Sequence, residues 1–210
     1  MNGAIIVESR NIPNLPSIIE GHMKYLKGWD LTIYYGKENE KILRGAFPDA
    51  KFNDYLLKFP PKDFCNDVLT SVTFWESIPY DKVLTFHSDS EILREGIEEF
   101  LEWDYVGSPW SHQMEGGNGG FSLRDKQKHI DLLKFKPWSK EYGNEDEYFS
   151  KFLIEVGGKV APRNICSLFG CETIYKLGTF GCHAIDKYLT KEECINIRTY
   201  ENNRQGYSYT

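Results

Sequence analysis

Two kinds of hydrophobic pattern alternate along the first half of the chain. Ala4 to Val7 is a short apolar run that reads as a buried strand. Leu15, Ile18, Ile19, His22 and Leu26 then share one helical face, and Gly28 offers a stop. Leu31 to Tyr35 predicts a second strand, closed by Gly36, and Lys51 to Leu57 a third. Phe64, Val68, Val72 and Trp75 are spaced four, four and three apart, which predicts a helix ended before Pro79. Lys82 to Phe86 is again strand-like, Leu93, Ile97, Phe100 and Leu101 give an amphipathic helix, and DYVG at 104–107 a short strand. Strand and helix in alternation predict an α/β domain with a largely parallel sheet.

Beyond Pro109 the pattern changes. A glycine-rich stretch, GGNGGFSLR at 116–124, runs into a strand-like Phe121 to Arg124 and then a helix from Asp125. A further helix is expected from Asn144, carrying Phe149, Phe152 and Leu153 and stopping at Gly157-Gly158. The last residues, ENNRQGYSYT, are polar throughout and read as a tail or linker.

Composition narrows the picture. The 210 residues are 40% hydrophobic and 27% charged, as in a globular chain. A net charge of -6 excludes a broad face for the phosphate backbone of nucleic acid, though not one nucleotide in a local pocket. Five cysteines without paired CxxC spacing argue against a zinc site or a disulfide framework, and fit a reducing, cytoplasmic setting. No apolar segment approaches the length of a membrane span.

Four segments carry candidate chemistry. In HSDS at 87–90 a buried strand stops on an acid between two serines. A turn explains this, since Ser and Asp accept backbone hydrogen bonds at strand ends. A ligand or metal site explains it too, because open α/β sheets place chemistry beyond the carboxyl ends of their strands. The glycines of GGNGGFSLR would let a ligand approach the backbone closely, although they do not match a dinucleotide-binding fingerprint. In NEDEYFS at 144–150, Asn144 can cap a helix whose acidic first turn suits the helix dipole. One of those acids could also serve as general base to a sugar hydroxyl. In FGCHA at 180–184, a lone His outside any periodic pattern could complete a divalent-cation shell, since Mn²⁺ accepts mixed oxygen and nitrogen ligands.

Taken in order, AIIVESR, LTIYYGKENE, FWESIPYDKVLTFHSDS, DYVGSPW, GNGGFSLR, NEDEYFS and FGCHA resemble a GT-A-type glycosyltransferase over roughly residues 3 to 185. More narrowly, the string resembles a group of uncharacterised GT-A-like domains, and the N-terminal glycosyltransferase domain of a multidomain chlorella-virus protein acting on the capsid glycan. The resemblance implies a metal-dependent, inverting transfer from a nucleotide sugar, a UDP-linked hexose or deoxyhexose, to a glycan hydroxyl. It implies Mn²⁺ or Mg²⁺ on Asp89 and His183. It gives Glu8, Ser9, Arg10, Tyr35, Gly36, His87, Ser88 and Asp89 to the donor nucleotide. His87 stands where the family's strand-end motif carries its first, ribose-facing acid. Trp110, Asn118, Gly119 and Gly120 would meet the sugar or acceptor, with Asp146 as base and Glu145 as an acceptor contact.

The expectation is therefore one GT-A-like, Rossmann-like α/β domain over 1–198, with a mixed, mostly parallel central sheet flanked by helices. Its nucleotide-binding part would span about 1–110 and its acceptor and catalytic part about 111–198, with a polar tail or linker to further domains at 199–210. Expected partners are a nucleotide sugar and a glycan, with neither nucleic acid nor a membrane span, in a cytoplasm that would be the host's if the chain is viral. A sugar nucleotidyltransferase would carry a phosphate loop after the first strand, which VESRNIPNLP lacks. A non-catalytic carbohydrate-binding module on the same fold would not need Asp89, Asp146 and His183 together.

Overall fold

The computed structural model of the chain describes residues 1–112 and 115–200. Its elements are, in chain order, β1 (Asn2–Glu8), α1 (Leu15–Met23), β2 (Asp30–Tyr35), α2 (Glu40–Ala46), β3 (Lys51–Asn53), α3 (Tyr55–Lys58), α4 (Phe64–Leu69), α5 (Val72–Ser77), β4 (Lys82–Phe86), β5 (Ser90–Ile92), β6 (Tyr105–Ser108) and β7 (Asn118–Asp125). There follow α6 (Lys126–Phe135), α7 (Glu145–Phe152), α8 (Arg163–Phe169), β8 (Gly170–Cys171), β9 (Gly181–His183), α9 (Ile185–Tyr188) and α10 (Lys191–Thr199).

Six strands form the central sheet in the order β3-β2-β1-β4-β7-β6. The first four are mutually parallel, and β7 runs antiparallel to both its neighbours. This is the mixed, mostly parallel α/β sheet expected. Both its faces are covered: Ala4 and Ile6 of β1 pack with Leu15 and Ile19 of α1, while Ile5 and Val7 belong to the core around Phe74 and Trp75. Burial on two faces is why β1 reads as a continuous apolar run rather than an alternating one. A second, three-stranded sheet, β5-β9-β8, lies beyond the end of β4.

Local chemistry shortens several expected elements. α1 ends at Met23 rather than Leu26. The third strand stops at Asn53, whose side chain accepts the Tyr55 N–H at 2.9 Å and starts α3 instead. The helix expected through Phe64 and Trp75 is two helices, because Ser71 caps the second by accepting the Phe74 N–H. The amphipathic helix expected around Leu93 is replaced by β5 and a single 3₁₀ turn at Ile97–Phe100, since Gly96 turns the chain at φ 114°. Helix α10 continues to Thr199, and 201–210, most of the expected tail, lie outside the described residues. No helix among the described residues is long and apolar enough to cross a membrane. All five cysteines are free thiols.

Candidate functional site

Strand order reverses between β1 and β4, which opens a crevice beyond their carboxyl ends. Two adjoining cavities occupy it. The larger, about 590 Å³, runs from Glu8, Ser9 and Arg10 at the end of β1 to His87, Ser88 and Asp89 after β4. The smaller, about 380 Å³, continues to Asn118, Gly120, Asp146 and His183. Cys65, His87, Asp89 and Lys187 line both.

The turn after β4 separates its structural residues from its chemical ones. Ser90 Oγ donates to the His87 carbonyl at 2.7 Å and meets the buried His22 Nε2 at 3.1 Å. The His87 N–H donates to Gly120 O at 2.9 Å, locking the turn to β7. The Asp89 carboxylate takes no part in this bracing. Its Oδ1 lies 3.2 Å from His183 Nε2, and its Oδ2 accepts from Lys187 Nζ at 2.6 Å. His183 Nδ1 meets Glu172 Oε1 at 3.1 Å. Ala184, in the left-handed region at φ 50°, turns the chain between His183 and Lys187 so that both reach Asp89. Such a conformation in a non-glycine residue is strained, and strain of this kind collects at functional sites.

His87, Asp89 and His183 each offer one ligand atom, and those atoms lie within 4.8 Å of one another. This oxygen and nitrogen set fits a divalent metal ion. Its protonation follows from the contacts. His183 is disfavoured as a cation by burial, yet hydrogen bonds to Asp89 and Glu172 outweigh that and raise it to about 9. The same bond to His183, with help from Lys187, holds Asp89 well below the usual carboxylate range. Burial lowers His87 to about 4, aided by the neighbouring His183, so its imidazole is neutral. A proton is thus held between Asp89 and His183, two of the side chains that would hold a divalent ion. Glu172 is buried and its Oε2 has no partner. A carboxylate behind a metal-ligating histidine fixes its tautomer and leaves the other nitrogen facing the metal.

The three acids of α7 have three different tasks. Glu147 closes the helix cap by accepting the Asn144 N–H at 2.9 Å. Both oxygens of Glu145 are taken by Arg124, at 2.7 and 2.9 Å, with the guanidinium fully buried. Asp146 accepts the Gly119 N–H at 3.1 Å and the Glu147 N–H at 2.9 Å, and faces the smaller cavity. Burial, then the charge of Glu145, raise its carboxyl to about 7.

The glycines at 119 and 120 have a reason the sequence did not suggest. A Cβ on Gly119 would fall 2.0 Å from Glu145 Oε1, and one on Gly120 would fall 2.2 Å from His183 Nε2. The close approach is made by the chain's own buried groups, the Glu145–Arg124 pair at Gly119 and His183 at Gly120, and Gly120 also lines the smaller cavity.

Three expected donor or acceptor residues are not brought to the crevice. Tyr35 is buried and lines a separate cavity, where its hydroxyl accepts from Arg44 at 3.0 Å. Gly36 packs against Ser9, with its N–H on the Asn39 side chain. Trp110 stacks on His112 and lines neither cavity. Sequence reasoning missed Lys187, Arg124 and Glu172. A signal for the last existed: FGCE at 169–172 and FGCH at 180–183 are near-repeats. They pair in parallel register, Gly170 on Gly181 and Cys171 on Cys182, which sets Glu172 beside His183.

Among solved structures, apo xyloside xylosyltransferase 1 of mouse is 10% identical over 90% of this chain and 100% of its own, with a TM-score of 0.54. The apo glycosyltransferase GlyE of Streptococcus pneumoniae TIGR4 is 14% identical over 76% of this chain, with a TM-score of 0.47, and the chain spans only 44% of its length. Glucosyl-3-phosphoglycerate synthase of Mycobacterium tuberculosis, in complex with Mn²⁺, UDP and phosphoglyceric acid, is 11% identical over 65% of each chain at a TM-score of 0.42. At such identities the likeness is one of fold, and the fold is the GT-A type. No curated protein matches the chain. The model of a family of proteins of unknown function, DUF5672, matches residues 50–183, well over half the length, so the chain belongs to the DUF5672 family.

Proposed function

We propose that the chain is a metal-dependent glycosyltransferase that moves a sugar from a UDP-linked donor to a hydroxyl of a glycan, with inversion at the anomeric carbon. One observation carries this reading: Asp89 and His183 meet beyond the end of β4, where Asp89 lines a nucleotide-sized cavity and both line the adjoining cavity that holds the carboxylate of Asp146. Neither a turn nor a helix cap needs that convergence. A viral capsid glycan as acceptor rests on the sequence resemblance alone.

Glu8 holds Arg10 through two bonds, at 2.9 and 2.7 Å, at the nucleotide end of the larger cavity. Lys187 brings a second cation to the middle of the crevice, where a diphosphate would lie. Mn²⁺ or Mg²⁺, when bound by Asp89 and His183, supplies Lewis-acid neutralisation of charge on the leaving diphosphate. Asp146, with its two N–H donors fixing the carboxylate, takes the proton of the attacking hydroxyl. Glu145 acts through Arg124 and Gly119 as a positioning residue, and Asn118 remains for contact with the sugar or acceptor.

Calorimetric titration of UDP and UDP-sugars into the chain tests this reading, once with Mn²⁺ and once with EDTA. Binding is expected with metal and is expected to weaken at least tenfold in EDTA or in Asp89→Ala. Equal binding in all three conditions would return HSDS to the status of a turn. Glu172→Gln keeps shape but removes the charge behind His183. It is expected to weaken metal binding by about 10–100-fold, read by titrating Mn²⁺ alone; an unshifted titration would remove Glu172 from the site.

A further inference from the structure

His87 occupies a position where an acid was expected, and its surroundings assign it a different task from a ribose contact. Resting on the glycosyltransferase reading, we propose that His87 is a metal ligand, so that the chain's cation is a transition-metal ion held by two imidazoles and one carboxylate, with Mg²⁺ bound poorly.

The geometry is close to closure. Ligands each about 2.1 Å from one ion lie between about 3 and about 4.2 Å apart. The Asp89–His183 pair, at 3.2 Å, is already inside that range. The whole set lies within 4.8 Å, so a modest contraction around an ion would bring all three to bonding distance. The two imidazoles meet edge to face, 71° between planes with centroids 5.7 Å apart, so they are not stacked on each other. The backbone around His87 is fixed at both its N–H, on Gly120 O, and its carbonyl, under Ser90 Oγ. The main chain that carries the ring is thus fixed beside Asp89 and His183.

The donor set then decides the metal. Mg²⁺ demands oxygen ligands in a tight octahedron and gives up water reluctantly. This cluster offers it one carboxylate, already in contact with Lys187 at 2.6 Å, and two nitrogens. Imidazole nitrogen suits later first-row ions, whose affinity rises from Mn²⁺ through Co²⁺. Glu172 adds to the bias, since a carboxylate behind an imidazole raises its basicity as a ligand.

The test uses Co²⁺ as the probe, its visible absorption reporting coordination directly, without nucleotide and without turnover. Co²⁺ is expected to bind the full chain, to be displaced by Mn²⁺ only when Mn²⁺ is in excess, and to stay bound against a hundredfold excess of Mg²⁺. His87→Ala is expected to weaken Co²⁺ at least tenfold and change its spectrum. His87→Asp, which restores an acid, is expected to let Mg²⁺ compete. Thermal melting of each variant checks that it folds, and His87→Gln provides a closer match in size. Absence of Co²⁺ binding, displacement by equimolar Mg²⁺, or an unchanged spectrum in folded His87→Ala and His87→Gln would each overturn the proposal. Repeating the calorimetry with UDP separates the two readings. Equal UDP binding with Mg²⁺ and Mn²⁺ sinks the inference about His87 and spares the transferase; Co²⁺ binding without any UDP binding does the reverse.

Discussion

Asp146→Asn is expected to cut sugar transfer by about 10²–10⁴-fold, the usual worth of a positioned general base, while donor binding changes little. The carboxylate is held on one side by the Gly119 and Glu147 N–H groups, and its remaining lone pairs face the cavity that also holds His183 and Asn118. Burial and the nearby Glu145 charge place its pKa at about 7, where proton transfer from a hydroxyl is favoured while the base form stays populated. Only the ionised form accepts the proton, so kcat/KM should fall as pH drops through about 7. The Asn variant should lack that limb. Linkage gives an independent sign. A carboxyl raised from 3.8 to about 7 on folding contributes stability that is present below the lower value and lost as pH rises through the upper one. The melting temperature of the wild type should therefore fall between pH 5 and 8 by more than that of Asp146→Asn. A variant that transfers normally, or keeps the acid limb, would eliminate Asp146 as base. One that is inactive because it is unfolded would show itself in the melting curve.

The main strands were legible because burial on both faces writes itself into sequence as uninterrupted runs. Val83 to Phe86 and Ala4 to Val7 had no competing interpretation. Elements governed by one side chain were not legible: Asn53 and Ser71 look like ordinary polar residues until their hydrogen bonds are seen to end a strand and split a helix. The site divides in the same way. Asp89 stood out because an acid at a strand end is locally anomalous, and His183 because it fitted no periodicity. Tyr35 lines a cavity apart from the crevice, and a strand end says nothing about which cavity a ring lines. The glycines of GNGG announce that something approaches the backbone closely, but not that Glu145 and His183 do so, from segments 26 and 63 residues away. Periodicity within one window cannot report such contacts, whereas the repeat of FGCE in FGCH could have reported Glu172.

Arg124→Met should be the most damaging single change to stability, costing about 3–5 kcal/mol because it strands a buried charge on Glu145. For a chain of this size that is a fall in melting temperature on the order of 10 °C. The guanidinium spreads its donors over both Glu145 oxygens, Ser122 Oγ at 2.8 Å and Gly119 O at 3.3 Å. It also lies 5.0 Å from the Tyr105 ring centroid. Met fills similar volume, so the loss measures the stranded carboxylate more than a cavity. Arg124→Met/Glu145→Leu should then recover most of the stability, since replacing both partners of a buried pair by apolar groups is often neutral. If single and double variants melt together, the cost lies in lost packing around the guanidinium and the stranded-charge account fails. Transfer should not recover with stability in the double variant. Gly119 donates to Asp146 from a backbone held by Arg124, and removing Glu145 also removes part of what keeps Asp146 near 7. A stable double variant with its acid limb moved to lower pH would show that the buried pair sets the basicity of its neighbour as well as the fold around it.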